Sequence, residues 1–330
     1  MEKPKSGLNK WLIRVVGSAL LLGGLFWYLP HEAILTGLRR VPPLVFAAVL
    51  VAFLASHVVA AAKWWLILGR PCGFLLALRA HFGGLAANLC LPGSIGGDAV
   101  RATMIHGAMR DAPRLTAGAV ADRVIDLLAL VILSGIGALL IGKDTADLGL
   151  LIKVAAGFAA LSLAIGVVLP IALPRLWALF PNLPGRKFAL DISAAFGQLA
   201  RRPGLLIFVQ LTSLAIQGCL VLLAYRLALA VGLQVDLGAW IFAWPLAKLI
   251  SILPISLGGL GLREATLAAL LVPFGAIGAQ VVAAGLIWQG VLFLTGGLGG
   301  LVVLLSRDHA KQAVHAKQAV AAKDISNRVS

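Results

Sequence analysis

The sequence predicts an all-α polytopic membrane protein with about six full spans and two re-entrant helical hairpins in inverted-topology repeats. Three observations support this fold class. The chain of 330 residues is 60% hydrophobic and only 12% charged, which is about half the charged fraction of a soluble domain. Apolar runs long enough to cross ~30 Å of hydrocarbon recur along it. A polar, Gly-rich motif also occurs twice, once in each half.

Six apolar runs each provide the ~20 residues that a spanning helix needs. The predicted spans are 11–29, 43–66, 116–141, 149–173, 204–231 and 279–305. Lysine and arginine concentrate in the N-terminus, in 63–70, 100–114 and 174–203, and in the tail after Leu305. The positive-inside rule therefore predicts a multi-pass membrane protein with these segments and both termini in the cytoplasm. The same segments account for the net charge of +15, so we expect no nucleic-acid partner.

The repeated motif occupies residues 92–101 and, 162 residues later, 254–263. Proline ends a helix, a glycine pair allows a tight turn, and serine can satisfy backbone groups freed at the break. Backbone N–H groups at a broken helix, together with arginine, favour an anion. The residues in register are Pro92 and Pro254, Ser94 and Ser256, Gly96 and Gly258, Gly97 and Gly259, and Arg101 and Arg263. We predict that the prolines and glycines are hairpin hinges, and that the serines and arginines contact a lipid headgroup.

Two apolar stretches, 71–91 and 238–253, lead directly into the two copies of the motif. Charged or helix-breaking residues interrupt both stretches, so we predict re-entrant hairpins rather than full spans. Three predicted crossings separate the copies, and an odd number of crossings inverts the second copy relative to the first. We expect the arginines of the two copies to meet in one polar pocket between the repeats.

The repeats define the predicted domain organisation. The predicted domains are the N-terminus with the first span (1–40), repeat 1 (41–141), a connecting span and cytoplasmic loop (142–202), repeat 2 (203–305) and a basic tail (306–330). The same offset also aligns Gly135 and Gly137 with Gly297 and Gly299. These glycines would lie in the last span of each repeat.

Eight ionisable residues lie in or beside the predicted membrane segments of the repeats. They are the acids Asp98, Asp122, Asp126 and Glu264, and the bases Arg101, Arg123, Lys248 and Arg263. A charge within the bilayer costs about 2.5–3.5 kcal/mol on insertion scales, so each one needs a partner or a function. One interpretation is a set of ion pairs that fasten the hairpins to the spans. The other is a polar cavity in which the bases bind an anionic headgroup and the acids hold the bases or take up protons.

Two features of this set leave alternatives open. Asp122 and Asp126 are four residues apart and share a helical face. That spacing suits acid/base chemistry or a proton relay, and it equally suits an ion network with Arg101 or Arg263. Asn88, just before the first motif, is predicted either to cap the hairpin or to contact the headgroup.

The cysteines and histidines show no metal-ligand or disulfide spacing. Three cysteines lie in apolar sequence, and the six histidines are scattered. No nucleophile–base set is present either, so we expect no metal, no cofactor and no catalytic residue. Tryptophans near the span ends, among them Trp64, Trp240 and Trp244, are predicted to anchor the protein at the membrane interface.

These motifs resemble those of the membrane region of the lysylphosphatidylglycerol synthase (multiple peptide resistance factor) family. The resemblance covers about residues 10–305 and rests on Asn88, 91–98, Arg101, Asp122, Arg123, Asp126 and 254–264. It implies a flippase-like domain with inverted repeats and re-entrant helices, as in stand-alone members linked to hopanoids or polyprenol-linked sugars. The family's synthases add a soluble aminoacyl-transfer domain, whereas about 25 residues follow the last predicted span here. We therefore expect no lipid aminoacylation by this chain. At Asp122 the family more usually has glutamate.

The sequence therefore predicts a flippase that moves a polar- or anionic-headgroup lipid, such as a phospholipid, a hopanoid or a polyprenyl-linked lipid. Membrane lipids are the expected partners, and a homodimer or a complex with lipid-synthesis enzymes is compatible with the sequence. Two alternatives remain. One is a membrane-embedded lipid-modifying enzyme, which only the carboxylates support, and the other is a non-catalytic partner of a lipid-synthesis complex.

Overall fold

The structure is a computed structural model that describes residues 31–90, 95–109, 111–141, 201–252 and 260–329, with a few positions between 172 and 198. These residues form nine α-helices and, within the described part, no strand. The helices are α1 (His31–Arg40), α2 (Pro43–Ile67), α3 (Phe74–Cys90), α4 (Ile95–Met109), α5 (Ala112–Ile141), α6 (Pro203–Val231), α7 (Leu237–Ile250), α8 (Leu262–Leu271) and α9 (Gly278–Val329). A short 3₁₀ turn, Val272–Phe274, follows α8.

Four of these helices are long and apolar enough to cross a membrane. They are α2, most of α5 (Arg114–Ile141), α6 and the first part of α9 (Gly278–Leu305). The predicted helices at 43–66, 116–141, 204–231 and 279–305 are therefore confirmed, as is the multi-pass membrane character of the chain. The predicted spans 11–29 and 149–173 lie outside the described residues.

Local sequence explains where several helices begin and end. Both α2 and α6 start with a proline, whose fixed φ suits the first helical position. Helix α6 ends at Gly232, which has φ +98° in the left-handed region. Helix α7 is capped by Asp236, whose carboxylate accepts a 2.7 Å hydrogen bond from the N–H of Gly238. Pro245 lies inside α7 and is buried, and the helix continues through it. A proline there removes one backbone hydrogen bond and crowds the carbonyl four residues earlier, so packing around the buried residue sustains the helix.

Helices α3 and α4 form an antiparallel pair. With 17 and 15 residues, each extends about 26 Å or less, which is shorter than the hydrocarbon core. The Oδ1 of Asn88 near the end of α3 accepts a 2.9 Å hydrogen bond from the N–H of Gly97 near the start of α4. The end of α2 also lies beside the start of α5, where Arg114 Nη2 donates to the Leu68 carbonyl at 3.2 Å. The α3–α4 segment therefore leaves and returns at the same end of the bundle.

Helices α2 and α6 occupy equivalent places in the two sequence repeats, and they pack against each other in opposite directions. Ser56 Oγ lies 3.5 Å from Cys219 Sγ, and Lys63 Nζ donates to Ser213 Oγ at 3.3 Å. Because the residue number rises along α2 while it falls along α6, the two helices are antiparallel. Cys219 is only one residue from the position that the 162-residue offset assigns to Ser56.

Each repeat also packs its short helix against the last long helix of the other repeat. Helix α7 lies on α5, where Ser134 Oγ donates to the Phe242 carbonyl at 2.9 Å and Gly137 touches the backbone of Phe242. Helix α3 lies on α9, where Gly299 touches the backbone of Phe82. Gly137 and Gly299 are the glycines that the 162-residue offset aligned. They allow a close backbone approach between the repeats at each of these two places.

Three tryptophans that were predicted as interfacial anchors lie inside the protein. Trp64, Trp240 and Trp244 are at most 2% exposed. Trp240 Nε1–H donates to the Val221 carbonyl at 3.0 Å, so its polar atom is satisfied without a membrane interface. The prediction was wrong because sequence position near a span end does not reveal which face of the helix the ring occupies.

Candidate functional site

Six charged side chains from α2, α4 and α5 form one chain of alternating sign, which we call the six-charge chain. Each neighbouring pair lies within 3.3 Å. The order is Asp126, Lys63, Asp122, Arg101, Asp98 and Arg123. With three acids and three bases, the chain carries no formal net charge. Mutual pairing is the arrangement that makes buried charges tolerable in a low-dielectric environment.

Lys63 lies at the acidic end of the six-charge chain and is 2% exposed. Its Nζ lies 2.5 Å from Asp126 Oδ1 and 3.1 Å from Asp122 Oδ1. Ser213 of α6 contacts both Lys63 and Asp126, so repeat 2 supplies a polar group to this cluster. Lys63 was not predicted as a site residue, because it lies four residues before α2 ends and belongs in sequence to the basic segment 63–70. The signal was its position as the lone lysine in a 25-residue apolar helix.

Arg101, the motif arginine of repeat 1, joins two acids. Its Nη1 donates to Asp98 Oδ1 at 3.2 Å and its Nη2 to Asp122 Oδ2 at 3.3 Å. The predicted ion pair between Asp122 and Arg101 is therefore present. The guanidinium also lies 4.1 Å from the ring centroid of Trp64, which is a favourable cation–π position. Gly84 makes room for the arginine stem, since a Cβ there would lie 2.7 Å from Arg101 Cγ.

Arg123 forms the other end of the six-charge chain. Its Nε donates to Asp98 Oδ2 at 2.8 Å and its Nη2 to Asp98 Oδ1 at 3.2 Å, which is a two-point guanidinium–carboxylate contact. Its side chain is 43% exposed, unlike that of Arg101. Asp98 therefore holds both a buried and an accessible arginine, and it couples α4 to α5.

The motif arginine of repeat 2 lies in a second cluster, made by Arg263, Glu264 and Gln289. Arg263 Nη2 lies 2.5 Å from Glu264 Oε1, 3.1 Å from the Gly285 carbonyl and 3.4 Å from Gln289 Oε1. Glu264 is fully buried and accepts a 2.8 Å hydrogen bond from the N–H of Gly261. That glycine has φ +79°, a backbone conformation that other residues rarely adopt. This cluster is also formally neutral.

Arg101 and Arg263 pair with different acids, so their ion pairs belong to two clusters. The expectation that the two arginines meet in one polar pocket stays a prediction. Five rings, which we call the ring row, contact one another in sequence. His81 and His57 share a 3.0 Å Nε2–Nδ1 contact. The ring row then continues through Phe53, Trp288 and Trp244 with centroid separations of 4.5, 5.3 and 5.4 Å.

Lys248 differs from the other predicted bases because its charge is not matched. Its Nζ donates to the neutral Gln217 Oε1 of α6 at 2.8 Å. Within the described part of the chain, no carboxylate lies within 4.0 Å of this nitrogen. Lys63, Arg101, Arg123 and Arg263 each contact an acid. Of these five site bases, Lys248 alone has no ion pair among the described residues.

The remaining predicted site residues fall into two groups. Gly96 and Gly97 lie in the first turn of α4, and the structure uses Asn88 to hold Gly97, which favours the hairpin role over the headgroup role for this amide. The other predicted residues lie outside the described residues, and they are Pro92, Ser94, Pro254, Ser256, Gly258 and Gly259.

Replacing Asn88 by alanine tests its assignment to the hairpin. The substitution leaves the N–H of Gly97 without its acceptor, so we expect a loss of about 1 kcal/mol in the free energy of unfolding. Asn88→Asp keeps an acceptor oxygen and should lose less. Unfolding of the purified protein in mixed micelles would measure both. Equal stability of the alanine variant and the parent would contradict the assignment.

No group of three or more metal-type ligands is found among the described residues. Every carboxylate of the two clusters contacts a base, so these clusters are built as ion networks.

Comparison with known proteins identifies a family for this chain. The family model described as "Lysylphosphatidylglycerol synthase TM region" matches residues 11–300. No curated protein matches the chain.

Proposed function

This chain belongs to the family of the lysylphosphatidylglycerol synthase transmembrane region, and from that premise we propose that it is a lipid flippase of the bacterial inner membrane. Its substrate would be a lipid with an anionic headgroup. Anionic phospholipids such as phosphatidylglycerol and polyprenyl phosphates have such headgroups, and so would an anionic hopanoid. Both termini and the basic loops would lie in the cytoplasm, as the positive-inside rule requires.

The observation that carries this proposal is the unmatched charge of Lys248. The residue lies 11 positions after the start of α7, which is about 16 Å along the helix and roughly half of the hydrocarbon thickness. Its Gln217 partner lies 14 residues into α6. A cation near the midplane, held by a neutral amide from a different helix, favours an anionic group that passes through.

The paired charges have a different role in this proposal. Arg101, Asp98 and Asp122 fasten the α3–α4 hairpin to α5, and Arg263 with Glu264 fastens α8 to α9. Since each of these bases already contacts an acid, a headgroup could bind the base only by displacing that acid. Binding at Lys248 displaces no acid.

The proposed mechanism is movement of one inverted repeat against the other, with the acyl chains left in the lipid. Three observations support it. Equivalent helices α2 and α6 run in opposite directions. The α3–α4 pair leaves and returns at one end of the bundle, as a re-entrant hairpin would. The α7 and α8 helices, with 14 and 10 residues, are likewise too short to span the bilayer.

We propose transport rather than catalysis because of the pairing of the acids. Asp122 and Asp126 both contact Lys63, and an acid/base catalyst needs a carboxylate that can reach its substrate. If the protein were instead a non-catalytic partner of a lipid-synthesis complex, removing the charge of Lys248 would leave its function unchanged once the protein had inserted in the membrane.

The test is a leaflet-exchange assay in proteoliposomes, with fluorescent phosphatidylglycerol and phosphatidylcholine and with polyprenyl phosphate as separate substrates. We expect the protein to accelerate exchange of at least one anionic lipid more than that of phosphatidylcholine. Exchange of all three lipids at the rate of empty liposomes would overturn the proposal.

Lys248→Met separates transport from stability. The substitution removes a buried charge that has no acidic partner, which favours folding, and leaves the Gln217 oxygen without its donor, which opposes it. Because these two effects oppose each other, we expect little change in the unfolding midpoint. A charged hydrogen bond contributes about 1.5–3 kcal/mol, so transport of the anionic lipid should slow about 10- to 100-fold. Arg226→Met, which removes an exposed arginine of α6, is the matched control. A Lys248→Met variant that transports at the parental rate would contradict the proposed role.

A further inference from the structure

A second polar site lies at the basic end of the bundle, where α2 ends and α5 and α6 begin. It is a cavity of about 350 Å³, a volume in the range of small-ligand sites. Three arginines and one amide line it, and they are Arg114, Arg201, Arg202 and Gln198. It is distinct from the surroundings of Lys248, which does not line it.

Among the described residues, the arginines of this cavity have no acidic partner for their guanidinium groups. Arg114 Nη2 donates to the Leu68 carbonyl at 3.2 Å, and that is a neutral acceptor. For the described residues, no carboxylate lies within 4.0 Å of the guanidinium groups of Arg114, Arg201 or Arg202. Three guanidinium groups around one cavity repel one another unless an anion lies between them. Guanidinium groups bind phosphate through paired hydrogen bonds.

The cavity is polar at its mouth and apolar inside. All three arginines are exposed, whereas Ala117 and Ala121 in the inner wall are 1% and 4% exposed. Leu205 of α6 and Ile67 of α2 complete the apolar lining. A ligand that matches this gradient has a phosphate at one end and an apolar part at the other.

The inner wall separates this cavity from the six-charge chain. Ala121, Ile125 and Val209 form a buried apolar cluster, and Val209 lies one helical turn before Ser213 along α6. A headgroup held at the arginines is therefore separated from Lys63 by a layer of apolar side chains.

From these observations we infer that the arginine cavity binds the phosphate group of an anionic membrane lipid at the basic, cytoplasmic end of the bundle. This lipid site is additional to the proposed translocation path and does not depend on transport. The lipid occupies it with its headgroup between the three guanidinium groups and its glycerol region against the apolar wall.

The test is native mass spectrometry of the full chain, purified from bicelles of phosphatidylcholine with 10% phosphatidylglycerol as the probe mixture. The variant Arg114→Gln/Arg201→Gln/Arg202→Gln removes the three charges. The matched control Arg39→Gln/Arg40→Gln/Arg226→Gln removes three other exposed arginines. We expect the parent and the control to retain one more phosphatidylglycerol per chain than the cavity variant. Because each basic residue near an anionic lipid contributes to the attraction, occupancy should fall at least ~10-fold when all three charges are removed.

Three further measurements test the lipid site independently. The variant Arg114→Lys/Arg201→Lys/Arg202→Lys keeps the three positive charges but loses the paired hydrogen bonds of the guanidinium groups. It should therefore retain the lipid in part. Lys248→Met should retain the extra lipid fully, which separates failure of this site from failure of the translocation proposal. Soluble glycerol phosphate and inorganic phosphate should not displace the lipid at millimolar concentration. Equal retention by the cavity variant and its control, or displacement by soluble phosphate, would overturn the inference.

Discussion

Replacing Lys63 by methionine is expected to destabilise the protein by about 3–5 kcal/mol, the usual cost of removing one partner from a buried ion pair. Lys63 is 2% exposed and contacts both Asp122 and Asp126. Without its ammonium, Asp122 keeps its ion pair with Arg101, whereas Asp126 loses its ion pair with Lys63 and keeps the hydroxyl of Ser213. The result is a partly buried carboxylate without the ammonium that contacts it in the parent protein.

The measurement is the free energy of unfolding of the purified protein in mixed micelles of increasing denaturing detergent. Arg226→Met removes one exposed charge from α6 and should change stability by less than about 0.5 kcal/mol. The double variant Lys63→Met/Asp126→Asn removes the orphaned acid as well. It should recover about 1–3 kcal/mol, since neighbouring members of one network are not additive. If Lys63→Met were as stable as the parent, the six-charge chain would not be what stabilises repeat 1.

The second large effect is expected where the repeats touch, and the same substitution should have opposite signs at neighbouring glycines. At Gly137 an added Cβ would overlap the backbone of Phe242, and at Gly299 it would overlap the backbone of Phe82. Backbone cannot move aside as a flexible side chain can. We expect Gly137→Ala and Gly299→Ala each to destabilise by about 1–3 kcal/mol.

Gly297 provides the control within the same helix. Nothing lies within 4 Å of a Cβ built there, so Gly297→Ala should stabilise by up to about 1 kcal/mol through reduced backbone freedom in the unfolded chain. Gly137 and Gly299 have no shared partner, so the double variant should lose roughly the sum of the two single effects. Thermal unfolding of the four variants measures all of this. A Gly137→Ala variant as stable as Gly297→Ala would show that the α5–α7 approach is looser than described.

Much of the fold was predictable because membrane spans depend on local composition. Four predicted spans coincide with long helices, and the family assignment follows from short motifs around Asn88, Arg101 and Arg263. The 162-residue offset also aligns Gly137 with Gly299, and both glycines lie against the backbone of the other repeat. Hydrophobic length and repeated spacing are properties of the chain itself, so sequence alone reveals them.

The arrangement of the site was less predictable because it depends on how helices cross. Lys63 was assigned to a loop from its sequence position, but packing against α5 buries it between two acids. Equivalent positions in the two repeats also acquire different partners, since Arg101 pairs with Asp98 and Asp122 whereas Arg263 pairs with its neighbour Glu264.

The reciprocal packing of the short helices has a consequence for biosynthesis. Helix α3 lies on α9, and its Phe82 backbone meets Gly299, so its final partner is made only when almost all of repeat 2 has left the ribosome. Until then the α3–α4 pair lies in the lipid without α9, the helix that α3 packs against in the complete protein. Contacts this distant along the chain form slowly. The two halves should therefore mature together, and a truncated first half should be degraded rather than accumulate in the membrane.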